Sequence, residues 1–269
     1  MSKLKKALEK ARQSRESFPG SEDQAISLPR EEASTSSWKG QEIDPTYVQT
    51  KIQHIDLNKL EERKIISIHH CNQVSDRFKL LRTQVLSLLR ERERNSILIT
   101  SANRNEGRTT TAINLAISMA QQLDSTVLLV DADLKAPSIH KILGLSVEKG
   151  LTDCLLGQAS IEESLINPGI SRLVVLPSGR HISNTSEILA APRAESIFRE
   201  LKDRYSDRFI IIDSPPLLTG ADALILTGHA DAVLLVVEAE RTTKNDLLRM
   251  RELLGDKPVV GSILTKFRP

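Results

Sequence analysis

Six short apolar runs, most of them separated by helical patterning, restrict this chain more than any other feature. They are SILIT (96–100), TVLLVD (126–131), RLVVLP (172–177), FIIID (209–213), AVLLVVE (232–238) and VVGSILT (259–265). They show little polar alternation, as strands do when both faces are covered. Helical patterns at 109–123, 187–204, 219–229 and 242–254 lie between or beside them. Strand–helix repetition of this kind predicts an α/β fold in three layers, with a mainly parallel sheet and right-handed crossovers. A further helix is predicted over 74–94, with Phe78, Leu81, Val85, Leu88 and Leu89 on one face. Ligands of such sheets bind beyond the carboxyl ends of the strands, so the places to inspect follow residues 100, 130 and 212.

The residues before this pattern are of another kind. Residues 1–16 read as a short basic amphipathic helix, with Leu4, Ala7, Leu8 and Ala11 at helical spacing among lysines and arginines. Such a helix is either simply solvated or a weak dock for an anionic membrane or acidic partner. Residues 17–60, rich in Ser, Pro, Glu and Gln, are read as a disordered linker, because they cannot bury enough apolar surface to offset their ordering entropy. The globular domain is then expected over 70–269. A net charge of +2 does not by itself indicate a nucleic-acid partner. Cys71 and Cys154 are far apart and lack metal-ligand spacing, which suits a reducing compartment. No apolar stretch reaches the ~18 residues of a membrane span, and the N-terminus lacks a signal-peptide core. The expected location is the cytoplasm.

After the first strand comes SANRNEGRTT, residues 101–110. A phosphate-binding loop needs backbone N–H groups that converge without Cβ clashes, a lysine on the outer phosphates, and a hydroxyl for Mg²⁺. Gly107 and Thr109 stand at the right spacing. Asn105 occupies a common glycine position and tolerates a left-handed backbone. Arg108 stands where the lysine belongs. Alone, this stretch reads equally well as a plain strand–helix turn. The other strand ends argue for a site: Asp131 and Asp133 follow the second strand, and Asp213 ends FIIID. Paired carboxylates repel unless a cation or donors lie between them, and a buried one needs compensation. Each aspartate alone could be a helix cap. Together with the Gly-Arg-Thr-Thr helix start they suit Mg²⁺–nucleotide.

With these motifs in place, the chain resembles the cytoplasmic domain of bacterial tyrosine kinases, the autokinases of exopolysaccharide export and chain-length control. SANRNEGRT resembles the family's Walker A loop, DADLKAP its Walker A′ and IIIDSPP its Walker B. KGLTDCLLGQAS and LPSGRHISNTSEILAAPR resemble its connecting segments. The N-terminal basic helix resembles that of the exosortase-associated branch, more weakly. The resemblance covers about residues 70–267. It implies a P-loop NTPase-like fold binding ATP and Mg²⁺. Asn105, Glu106, Gly107, Arg108, Thr109 and Thr110 would hold the nucleotide. Thr109, Asp131 and Asp213 would serve the metal, and Asp131 or Asp133 would help deprotonate an attacking tyrosine hydroxyl. Asp131, Asp133, Asp213 and Arg108 are thus the candidate catalytic set. Asp76, Lys79 and Arg82 follow the family's oligomerisation pattern, although a plain ion-pair face of a helix reads the same way. The implied partner is a membrane-embedded polysaccharide copolymerase, which would hold the chain peripherally at the inner membrane.

The chain departs from the family pattern at three points. Arg108 keeps the charge but not the compact shape of an ammonium. A lost transition-state contact there is worth ~3 kcal/mol, or ~100-fold in rate. The last residues, TKFRP, contain no tyrosine; Tyr47 and Tyr205 are the two tyrosines. The final strand ends LTKF, where the family usually has an Asn-Lys pair. Two classes of function therefore stay open: a tyrosine kinase or ATPase, and a low-turnover nucleotide-binding regulator of the same machinery. A MinD/ParA-type ATPase ranks lower, because Asn103 stands where that group has a second lysine.

Overall fold

The six apolar runs form strands and align in one sheet. The structure, a computed structural model, describes residues 50–68, 73–205 and 207–267. The strands are β1 (Lys51–Ile52), β2 (Ser96–Ser101), β3 (Thr126–Asp131), β4 (Ile166–Asn167), β5 (Leu173–Leu176), β6 (Arg208–Asp213), β7 (Ala232–Glu238) and β8 (Val259–Thr265). Their order across the sheet is β1-β4-β5-β3-β6-β2-β7-β8. All neighbours are parallel except β4 and β5.

The pleat explains the unbroken apolar runs. Ile97, Ile99, Val127, Leu129, Phe209 and Ile211 point into one core. Their neighbours Leu98, Leu128, Val130, Ile210 and Ile212 point into the other. The first core is covered by α1 (Leu57–Glu62), α2 (Gln73–Arg90), α3 (Arg108–Ala120) and α4 (Ile139–Leu143). The second is covered by α5 (Leu151–Leu155), α6 (Ile161–Ser164), α7 (Thr185–Leu189), α8 (Pro192–Asp203), α9 (Asp222–Thr227) and α10 (Lys244–Leu254). This is the three-layer arrangement expected from the sequence.

Several boundaries differ from expectation. The helix expected over 187–204 is two helices, because Pro192 has no N–H to continue the first and begins the second. The 219–229 segment divides into a 3₁₀ turn, Leu217–Thr219, and α9. Tyr205 is half exposed, with the Arg208 guanidinium 3.9 Å from its ring centroid. The N-terminal helix, Tyr47, Cys71 and the linker up to residue 49 lie outside the described residues.

Residues 50–60, assigned by composition to the linker, are built into the domain. Lys51 and Ile52 pair with Ile166 and Asn167, and Leu60 is buried beside Ile65. The segment that follows is pinned by one side chain. Asn114, buried inside α3, accepts hydrogen bonds from Ile66 N (2.8 Å) and Ser67 N (2.9 Å), and its amide donates to Lys64 O (2.9 Å). A polar composition hides this, because the compensating partner lies about 50 residues away. Asn114→Ala removes the partner of three backbone groups and should cost about 2 kcal/mol. The expected fall in melting temperature is about 4–8 °C. A melt unchanged from that of the unaltered protein would show that water replaces the amide.

Candidate nucleotide site

The sheet order builds the site. Because β6 inserts between β2 and β3, Asp213 aligns with Ile99 on one side and with Asp131 on the other. Two carboxylates thus end adjacent parallel strands at the same level, beside the loop that leaves β2. That loop carries two left-handed residues, Asn105 (φ 65°) and Gly107 (φ 93°), before α3 begins at Arg108. Their conformation turns the chain sharply into the helix, and Gly107 takes it without side-chain strain. Asn105 fills its position for the reason expected: asparagine is among the residues that tolerate this region best.

Asp131 and Asp213 are fully buried. Asp131 Oδ2 accepts from Ser138 N and Ile139 N, both at 3.0 Å, while its Oδ1 has no hydrogen-bond partner. Neither oxygen of Asp213 completes a hydrogen bond, although the Thr109 hydroxyl is close enough to favour its charged form. Thr109 Oγ1 in turn accepts from Ser138 Oγ at 3.1 Å. The structure therefore brings Thr109, Asp131 and Asp213 together, with Ser138 as a link that the sequence analysis missed. Its signal was a Pro-Ser pair opening α4.

Burial, then repulsion by Asp213, pushes the Asp131 carboxyl up to about 8. Burial pushes Asp213 up to about 6 against the opposing pull of Arg108. Both folded values lie above the ordinary carboxylate range near ~3.9. The folded state therefore holds more protons than the unfolded chain between about pH 4 and pH 8, and stability falls as pH rises through that window. Nucleotide- and metal-free protein should melt lower at pH 8 than at pH 6, with a slope of at most about 1.4 kcal/mol per pH unit per carboxyl. Adding Mg²⁺ should flatten the slope. A cation-free melt that rises with pH would contradict this electrostatic picture.

The remaining expected residues are placed differently from one another. Asp133 Oδ1 accepts from Ala136 N at 3.1 Å, and its Oδ2 from Arg108 Nη2 at 3.3 Å. Arg108 Nη1 donates to the Ser214 carbonyl. The arginine is buried and bridges the two segments that follow β3 and β6. The Glu106 carboxylate is held between its own loop and the segment after β7, accepting from Asn103 N (3.0 Å) and Thr242 Oγ1 (2.8 Å). Glu106 can thus offer a ligand its backbone and not its side chain. On α2, Asp76 and Lys79 pair at 2.8 Å, whereas Arg82 donates to Ser118 O at 2.7 Å.

Two cavities meet at the loop. A polar one of about 400 Å³ is lined by Arg104, Asn105, Thr109, Asp133 and Ser138 among others. An apolar one of about 460 Å³ is lined by Ile66, Phe78, Leu81 and Ile263 among others. Both share Gly107, Thr110 and Lys266.

Comparison with known proteins decides the family. Residues 96–254 match a family described as AAA domain. The tyrosine-protein kinase YwqD of Bacillus subtilis (strain 168) is 36% identical over 192 residues, covering 71% of this chain and 80% of the relative. The chain belongs to the bacterial tyrosine-kinase family. Solved structures agree with this membership. The chimerical protein CapA2B2 superposes with a TM-score of 0.70 at 28% identity, over 82% of this chain and 94% of that one. A broader likeness reaches the septum site-determining protein MinD of Pyrococcus horikoshii OT3, solved with Mg-ADP, at a TM-score of 0.53 and 26% identity over 63% and 69%. The tyrosine-kinase family thus shares its P-loop architecture with MinD, and the fold expected from the sequence is the fold found. Among the described residues no helix is long and apolar enough to cross a membrane.

Proposed function

We propose that this chain binds Mg²⁺-ATP at the β2–α3 loop, as a tyrosine-autokinase-like protein of exopolysaccharide biosynthesis and export. The observation that carries the reading is the buried Asp131–Asp213 pair, with three carboxylate oxygens left without hydrogen bonds beside Thr109. Buried carboxylates without donors either take up protons or are compensated by a cation, and a cation suits a pair that ends beside an open phosphate loop. A hydroxyl and two carboxylates suit Mg²⁺, which takes few protein ligands and keeps water and phosphate oxygens. When bound, the metal would neutralise phosphate charge. The backbone N–H groups around Asn105–Thr110 would receive the phosphates at the start of α3. The apolar cavity beside Phe78 and Leu81 would take the base.

A second reading is favoured by Arg108. Its guanidinium is engaged by Ser214 O and Asp133, so it is held away from a transferring phosphate. Asp133 has both oxygens engaged, which leaves Asp131 as the better acceptor for a hydroxyl proton. In this reading the protein binds nucleotide and turns it over slowly, and its bound state governs assembly with a membrane-embedded polysaccharide copolymerase. Asp76 and Lys79 on the exposed face of α2 could still meet a second copy, while Arg82 is committed within its own chain. Titration with a fluorescent ATP analogue, with and without Mg²⁺ and the partner's cytoplasmic tail, tests the binding claim. Phosphate release and partner labelling separate the two readings. Failure to bind Mg²⁺-ATP at millimolar concentration would end both.

A further inference from the structure

A phosphate loop whose own cation is turned inward needs positive charge from elsewhere. The polar cavity is lined by three basic side chains, Arg104, Arg108 and Lys266. Arg108 is buried in its bridge to Ser214 O and Asp133. Arg104 is exposed, and of the two cavities it lines only the polar one. Lys266 differs from both. It follows β8, arrives in a left-handed conformation (φ 55°), and lines both cavities where they meet. Its ammonium donates to Asn105 O at 2.7 Å and pairs with Glu238 at 3.0 Å. An ammonium has three N–H donors, so one is left for a further oxygen. Its neighbour Thr265 donates to Glu106 O at 2.7 Å, which fixes the end of β8 against the loop.

The geometry points to Lys266 as the residue that supplies the phosphate-facing ammonium here, from a distant strand end of the same chain, in place of the lysine absent at position 108. The assignment rests on the nucleotide reading above. The flexible four-carbon stem lets the ammonium stay on Asn105 O while its remaining N–H turns to a phosphate oxygen. Lys266 is a positioning residue for the phosphates at the junction of the base and phosphate cavities.

The test compares Mg²⁺-ADP and Mg²⁺-ATP affinity in the unaltered chain, Lys266→Gln, Lys266→Arg and Glu238→Gln, with melts in the absence of nucleotide to show that each folds. Lys266→Gln should weaken both nucleotides about tenfold, the range of one charge-assisted hydrogen bond, and reduce the salt dependence of binding. Lys266→Arg should restore affinity to within about threefold. Glu238→Gln should leave affinity unchanged or raise it, because it frees the ammonium. Equal affinity in the unaltered chain and Lys266→Gln would overturn the assignment and leave the nucleotide reading standing. Glu238→Gln weakening binding as much as Lys266→Gln would also overturn it, since Lys266 would then act only as a strap on the loop. No binding by the unaltered chain would overturn both.

Discussion

Asp213→Asn is expected to lower Mg²⁺-nucleotide affinity more than 100-fold while raising the melting temperature of the nucleotide-free protein. The two effects have one cause. Asp213 lies beside Asp131 in strand register, fully buried and without completed hydrogen bonds. Without a cation the pair repels, and burial already disfavours either charge. Replacing one carboxylate by an amide relieves that penalty by about 1–2 kcal/mol at pH 8. The corresponding rise in melting temperature is about 4 °C. With Mg²⁺ the balance reverses, because breaking a buried, compensated charge pair costs about 3–5 kcal/mol. Calorimetric titration with Mg²⁺-ADP, paired with melts at pH 6 and pH 8, measures both arms. A variant that binds Mg²⁺-nucleotide as well as the unaltered chain would remove Asp213 from the metal site. A variant that is also less stable would show that the carboxylate is structural.

Arg108→Lys is expected to raise ATP turnover about 100-fold, with a much smaller change in affinity. The planar guanidinium reaches two acceptors at once, the Ser214 carbonyl and the Asp133 carboxylate. Lysine has one nitrogen and cannot span them as a fork, so its ammonium is released toward the loop. The same change frees Asp133 Oδ2. Arg108→Ala should leave turnover low, because it removes the bridge without placing an ammonium inside the loop at position 108. Phosphate release from all three proteins at saturating Mg²⁺-ATP decides the matter. High turnover in the unaltered chain would rule out the low-turnover reading. Equal, low turnover in Arg108→Lys would mean that residue 108 does not limit the chemistry.

Much of the site could be read from residue types because each type answers a local demand. Asn105 and Gly107 are suited to left-handed backbone, and both adopt it. Asp131 and Asp213 end apolar strands, where a parallel sheet presents its ligands. Three other participants were not legible. Ser138 joins Asp131 to Thr109 through its own N–H and hydroxyl, and a Pro-Ser pair before a five-residue helix is a weak signal. Asn114 looks like a neutral residue inside a helix until the backbone of residues 64–67 is laid against it. Lys266 stands at a fourth strand end, in LTKF, which the sequence marked only as a departure from the family's Asn-Lys pair and not as part of the site.

Local pattern alone determined the layers, the positions of six of the eight strands and the left-handed turn into α3, because burial on both faces and backbone sterics act over a few residues, whereas the two-residue strands β1 and β4 are too short to carry a pattern. It also placed acidic groups at strand ends. Only the tertiary structure decided that β6 lies between β2 and β3, and hence that Asp131 and Asp213 face one another. Only it showed which way Arg108 points and that Lys266 reaches a loop 161 residues earlier. Strand order is chosen by long crossovers and rotamers by distant acceptors, and neither leaves a period in the chain.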